Sequence, residues 1–232
     1  MSQQPLRFVT AASLFDGHDA AINIMRRLIH DKGVEVIHLG HNRSVQDVVD
    51  AALQEDADAI CLSSYQGGHT EYFKYLIDRL KQAGAEHIAV FGGGGGTITP
   101  EEIQQLHEYG VERIYHPNDG MKMGLLGMID DVVERASKRR KHIQPNPSQT
   151  SAIELSRMLS ALEDHTLSEN ELTTLRAQWQ QQTQAPVLGI TGTGGAGKSS
   201  LTDELLNRFN QFLPQLKIAV LAVDPTRRRT GG

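Results

Sequence analysis

Five short apolar segments alternate with amphipathic helical stretches through residues 6–140, and this alternation constrains the chain more than any other feature. Residues 6–13 (LRFVTAAS), 34–39, 59–63 (AICLS), 88–91 and 111–115 read as strands. Between the first two, Ile22, Met25, Leu28 and Ile29 recur at helical spacing, and Val45, Val48, Val49 and Ala52 do the same between the next pair. Ser44 with Asp47 three residues on, and Thr99-Pro100 with Glu102, carry helix-start chemistry. Further helices are predicted near residues 71–83 and over 121–140. A segment as uniformly apolar as AICLS offers water no polar face and must be covered on both sides. The pattern predicts an α/β fold with a doubly wound parallel sheet and helices on both faces.

After this set the pattern breaks. Residues 137–142 form a basic run best read as a solvated helix end, and residues 144–150 are polar and punctuated by proline. Two amphipathic helices are predicted over 153–162 and 167–184, and a second α/β pattern follows: strand 187–191, a glycine-rich loop, helix 199–212, strand 218–223. The expected organisation is a first domain over residues 1–142, a helical linker over 143–184, and a second domain over 185–232. Two strands and one helix cannot bury a sheet, so that second domain is expected to be incomplete within this sequence. The net charge of −5 argues against a nucleic-acid binder held by bulk positive charge. Cys61 is the only cysteine among 232 residues, which excludes disulfide scaffolds and cysteine-rich zinc modules and fits a reducing cytoplasm. No apolar run approaches the roughly 18 residues of a membrane span.

The loop Gly192-Thr-Gly-Gly-Ala-Gly197-Lys198-Ser199 satisfies G-x-x-x-x-G-K-[ST] at every fixed position, between an apolar strand and a helix as phosphate binding requires. Backbone N–H groups at Gly194, Gly195, Ala196, Gly197, Lys198, Ser199 and Ser200 would turn toward phosphate oxygens, helped by the helix N-terminus. Lys198 would supply a point charge for the β/γ-phosphates and Ser199 a Mg2+ ligand. Asp224, at the end of the last strand, is placed either to contact Mg2+ or to initiate a turn before Pro225. The motif indicates a nucleoside triphosphate without choosing between ATP and GTP.

The first domain has no such loop, yet its strand ends are unusual. Asp16-Gly17-His18 follows the first strand, residues 63–69 (SSYQGGH) follow the third, and residues 92–96 are five consecutive glycines after the fourth. In a flavodoxin-like sheet of order 2-1-3-4-5, the ends of strands one and three flank the switch point where ligands bind. Five glycines in a row are costly in folding entropy and make sense where something large lies against the main chain. Asp16 could orient His18 as a metal ligand; a zinc site drawing on His18, His38, His41 or His69 is a second reading.

Asp16-Gly-His18-Asp-Ala-Ala21, then Ser63-Ser-Tyr65, then Gly92-Gly93 resembles the D-x-H-x-x-G … S-x-L … G-G pattern of base-off/His-on cobalamin-binding domains, with Ala21 and Tyr65 departing from it. The resemblance covers residues 6–140. It implies that His18 is the lower cobalt ligand, that Asp16 orients it, that Ser63 or Ser64 contacts the displaced nucleotide tail, and that Gly67, Gly68, Gly92 and Gly93 form a close-approach surface. The segment Gly189-Ile-Thr-Gly-Thr-Gly-Gly-Ala-Gly-Lys-Ser-Ser200 with Val223-Asp-Pro-Thr226 is similar to the G-protein chaperones of adenosylcobalamin-dependent mutases. The two in tandem resemble the arrangement of the fused isobutyryl-CoA mutases. That resemblance implies adenosylcobalamin, Mg2+ and GTP as ligands, a homo-oligomer, and an acyl-CoA substrate bound by a domain outside these residues. A methylmalonyl-CoA-type mutase and a non-catalytic corrinoid carrier or sensor stay open as alternatives.

Overall fold

In the computed structural model, which describes residues 5–17, 20–141, 143–146, 151–181 and 185–223, the five apolar segments pair into one parallel sheet. The elements run β1 (Arg7–Ser13), α1 (Ala20–Asp31), β2 (Glu35–Arg43), α2 (Val45–Gln54), β3 (Ala59–Ser63), α3 (His69–Gln82) and β4 (Ala89–Gly93). They continue as α4 (Pro100–Tyr109), β5 (Arg113–Tyr115) and α5 (Pro117–Arg139), then α6 (Ala152–Glu163), α7 (Glu169–Gln180) and α8 (Lys198–Phe212). The strand order is β2-β1-β3-β4-β5 with every neighbour parallel, the flavodoxin-like order the alternation predicts.

Pleating sorts consecutive strand residues onto opposite faces. Val9, Ile60, Leu62, Val90 and Ile114 face one way and pack with Val48 of α2, Phe73 and Leu76 of α3, and Leu106 of α4. Phe8, Ala59, Cys61, Phe91 and Tyr115 face the other way and pack with Ile29 of α1 and Met128, Ile129 and Val132 of α5. Both predicted capping boxes form: Ser44 Oγ accepts from Asp47 N while Asp47 accepts from Ser44 N, and Thr99 and Glu102 make the same exchange.

Two elements differ from their sequence reading. β2 runs on to Arg43, because an edge strand with a register irregularity opposite Thr10 and Ala11 can extend beyond its apolar stretch. The helix expected from Met121 begins at Pro117, capped by His116 and Asp119, and carries a non-helical Gly124 (φ 70, ψ 169). Glycines at 120, 124 and 127 erase the apolar periodicity there. Within 143–184, α6 forms where it is predicted and is fastened to the sheet: Ser156 Oγ donates to Leu53 O at 2.6 Å. Arg7, at the start of β1, ion-pairs with Glu163 at 3.3 Å and Asp164 at 3.9 Å as well as with Glu35 at 2.9 Å.

The chain divides into two compact units, Met1–Gln178 and Trp179–Gly232. In the second, α8 forms where predicted, but neither expected strand, 187–191 or 218–223, carries strand pairing among the described residues. Val187 is 95% and Val223 88% exposed. A lone strand has nothing to satisfy its backbone groups or cover its side chains, so apolar character alone does not produce one.

Candidate functional site

The ends of β1, β3 and β4 converge at the switch point, and hydrogen bonds between their loops hold them there. Asp16 is 2% exposed, and its Oδ2 accepts from Tyr65 N at 2.8 Å, joining the loop after β1 to the loop after β3. Ser64 N donates to Gly93 O at 2.8 Å, joining the loop after β3 to β4. His69, at the start of α3, places Nδ1 3.0 Å from Gln66 O and Nε2 3.2 Å from Glu102 Oε2, which binds the same loop to α4. The Glu102 carboxyl lies below its ordinary range, chiefly because Thr99 N donates to it, with His69 adding to the effect.

Parity along β3 separates the two serines. Ser64 lies with Ile60 and Leu62, fully buried, and receives the Ser13 hydroxyl at 2.8 Å. Ser63 lies with Ala59 and Cys61 and faces α1 and α5. There a cavity of about 280 Å3 opens between the sheet and those two helices, reaching from Ile29 and Val132 up to Ser63 and Gly92–Gly95. Ile22, Met25, Phe91, Tyr115, Met128 and Ile129 make most of its wall. Ser63 Oγ is the one side-chain atom of that wall that is buried without a hydrogen-bond partner among the described residues. Such a hydroxyl costs about 1–3 kcal/mol unless something enters to pair with it.

The glycines divide by the same parity. A Cβ on Gly92 would sit 2.8 Å from Ile114 Cδ1 and closer still to Phe73, so this glycine is required by packing on the far face of the sheet. Gly94 abuts the Ser64 carbonyl oxygen, and Gly95 (φ +58) lies under the Tyr65 ring. Gly93 and Gly96 meet no such obstacle, nor does Gly67 after β3, while Gly68 approaches only the flexible Gln66 side chain. The five-glycine tract therefore serves the interior as well as the crevice.

His18 lies outside the described residues, as does its expected contact with Asp16. Among the described residues no group of three His, Cys, Asp or Glu side chains is placed to hold a metal ion. Of the residues in the zinc reading, His38 pairs with Thr10 Oγ1 at 2.9 Å and His69 is engaged as above.

Cys61 lines the cavity, and burial pushes its thiol up to about 12. At pH 8 the folded protein should carry on the order of a thousandfold less Cys61 thiolate than an exposed cysteine of pKa about 8.5. Iodoacetamide should accordingly label Cys61 only after denaturation, as read by mass spectrometry; comparable labelling of the native chain would contradict the burial. A folded pKa raised above the unfolded one makes this contribution to stability complete at neutral pH. It is lost as pH climbs from the ordinary thiol range toward 12.

In the second unit the phosphate loop has the backbone its glycines allow. Gly195 (φ 75) and Gly197 (φ 81) adopt left-handed conformations, and Gly197 is the residue from which α8 starts. Gly194, Gly195, Ala196, Ser199 and Ser200 are exposed, with the two serines in the first turn of α8. Lys198 folds back over the loop, donating to Gly192 O at 2.9 Å and Thr193 O at 2.8 Å. Those carbonyls hold the ammonium over the loop it would share with a phosphate. Asp224 falls outside the described residues.

A doubly wound sheet with an apolar cavity opening at its switch point, ending in an unpaired serine, defines a class that comparison with known proteins identifies. Residues 6–126 match the B12 binding domain, and the chain belongs to that family. Residues 155–232 match the methylmalonyl Co-A mutase-associated GTPase MeaB. Over 98% of its length the chain is 57% identical to the fused isobutyryl-CoA mutase of Cupriavidus metallidurans, and over the same share 52% identical to that of Geobacillus kaustophilus. It spans 21% and 22% of those two proteins, about a fifth of their length. Over 49% of its length it is also 35% identical to the pivalyl-CoA mutase small subunit of Xanthobacter autotrophicus, of which it covers 75%. Among the described residues no helix is long and apolar enough to cross a membrane.

Proposed function

We propose that this chain is the cofactor-binding and nucleotide-handling part of an adenosylcobalamin-dependent mutase that interconverts isobutyryl-CoA and n-butyryl-CoA. The similarity to fused isobutyryl-CoA mutases along nearly the whole chain supports the reaction class. The observation that carries the cofactor is the apolar cavity closed by the unpaired Ser63 hydroxyl at the switch point. When bound, adenosylcobalamin supplies a cobalt–carbon bond whose homolysis starts a 1,2 carbon-skeleton shift.

The residues of the first unit would hold that group. His18 would ligate the cobalt, and Asp16, which accepts from Tyr65 N, would orient it. The cavity receives the nucleotide tail, with Ser63 donating to it and Gly93 and Gly67 letting it approach the main chain. Ser64, engaged with Ser13, supports the loop instead of touching the tail. In the second unit, residues 194–200 cradle the phosphates of GTP, Lys198 faces the β/γ-phosphates, and Ser199 and Asp224 serve Mg2+. Hydrolysis to GDP there gates cofactor loading. The acyl-CoA is bound by a domain outside these residues, and the whole protein is a homo-oligomer of the reducing cytoplasm, where the Cys61 thiol persists.

Titrating cobalamin into the chain tests the ligand. The wild type should give the base-off, histidine-ligated absorption spectrum and His18→Ala should lose it; an unchanged spectrum in the variant would overturn the assignment.

A further inference from the structure

A second cavity, of about 60 Å3, lies at the end of the sheet opposite the switch point, where residues at the starts of β1, β3 and β4 meet α6 and the end of α5. We propose that it binds a small tetrahedral oxyanion of the charge and size of free phosphate, held by Arg157, Lys141 and His87. Most other charged groups of its lining are matched to one another. Arg7 N donates to Asp58 Oδ2 at 2.9 Å, Arg140 Nε lies 3.2 Å from Asp58 Oδ1, and Arg7 Nη2 lies 3.9 Å from Asp164 Oδ1. Asp56 is the remaining carboxylate of the lining, sharing the cavity with Arg157, Lys141 and His87. Arg157 is 9% exposed and gives Nη1 to Glu154 Oε1 at 2.7 Å, but its Nε is buried without a hydrogen-bond partner. Among the described residues it is the one side-chain atom of this lining left so. Lys141 and His87 make no hydrogen bond or ion pair among the described residues.

A cavity of this volume has room for several waters or for one small ion. Water would satisfy the guanidinium N–H but leave the excess positive charge where it is. An oxyanion does both, and charge-assisted hydrogen bonds from guanidinium and ammonium groups are the strong ones. The His87 ring registers the local field. Burial holds it below the ordinary imidazole range, Arg157, Lys141 and Arg139 push it the same way, and Asp56 opposes them. An oxyanion among these cations would reverse the electrostatic part of that effect and draw a proton onto the ring. Anion and proton then favour each other's binding by the same factor. The ion would join α6, through Arg157, to the end of α5 and the residues before β4.

Sulfate is the probe for the first arm, because a phosphate group itself gains a proton near the range in which histidine titrates. The His87 midpoint is followed by NMR of the imidazole protons in the full 232-residue chain, with His87→Asn to assign the signal. Sulfate should raise that midpoint by about one unit relative to chloride at equal ionic strength. It should accordingly bind about tenfold more tightly below the His87 titration than above it. Arg157→Gln should remove the shift. Lys141→Gln, at an exposed side chain that the fold does not depend on, should reduce it by about half or more. A second arm reads competition at the same signal: inorganic phosphate should displace sulfate about tenfold better than a nucleoside monophosphate, whose ester the small cavity does not admit. Equal competition would overturn the free ion as occupant. A midpoint moved no further by sulfate than by chloride would show that the cavity holds water, and would overturn the site. So would a full-sized shift in Lys141→Gln and in a folded Arg157→Gln chain, because the anion would then act from elsewhere, the phosphate loop included.

Discussion

Lys198→Ala is expected to weaken nucleotide binding by about a hundredfold or more, because a charge-assisted contact to phosphate is lost from a loop whose other donors are backbone groups. Cobalamin affinity should change by less than about twofold, since residues of the other unit alone line the cavity. The reason for the contrast is structural: among the described residues Lys198 hydrogen-bonds to Gly192 and Thr193 of its own loop, in the unit Trp179–Gly232, while the cavity is built within Met1–Gln178. Parallel titrations of a fluorescent guanine nucleotide and of cobalamin measure both. Loss of both activities together in a folded variant would show that the two sites are not separable.

Gly94→Ala should be the most disruptive single methyl in the first unit. The added Cβ would press on the Ser64 carbonyl oxygen, and it would also lie 2.9 Å from Ile98 Cδ1. Ser64 cannot yield, because its N–H is bound to Gly93 O and its buried hydroxyl to Ser13. Overpacking against backbone of this kind should cost about 3 kcal/mol or more. Gly96→Ala, two residues away with nothing within 4 Å of the new Cβ, should stay within about 0.5 kcal/mol of wild type. Urea denaturation of both variants decides the matter; equal losses would mean that the glycine tract answers to backbone entropy and not to packing. The same pair bears on binding, since a shift at Ser64 moves Ser63 beside it and should weaken cobalamin binding in Gly94→Ala only.

Sequence and structure agree closely where chemistry is local. The capping boxes at Ser44 and Thr99, the apolar faces of α1 and α2, and the spacing of the phosphate loop depend on residues within one turn of each other, so they are readable from order alone. The strand order also follows, since five βα units of this length leave few right-handed ways to wind a sheet. The start of α5 was not legible, because His116 and Asp119 are unusual caps and Gly120, Gly124 and Gly127 break the apolar repeat. Nor was the absence of pairing at 187–191 and 218–223, because an apolar run becomes a strand only when neighbours bond to it.

By itself the sequence determined the fold class, the loops that meet at the switch point, and the place of the glycine-rich loop before α8. It could not say which of Ser63 and Ser64 faces a ligand. Alternation reveals a strand's orientation only when one side is wet, and β3 is buried on both sides, so its residues carry no polarity signal of in and out. The tertiary structure made that decision by placing α1 and α5 over the face of Ala59, Cys61 and Ser63, with a cavity between, and by closing α3 and α4 over the opposite face. Ser63 then meets the cavity, Ser64 meets Ser13, and Gly92 meets Phe73, because a pleated strand turns each successive residue to the other side.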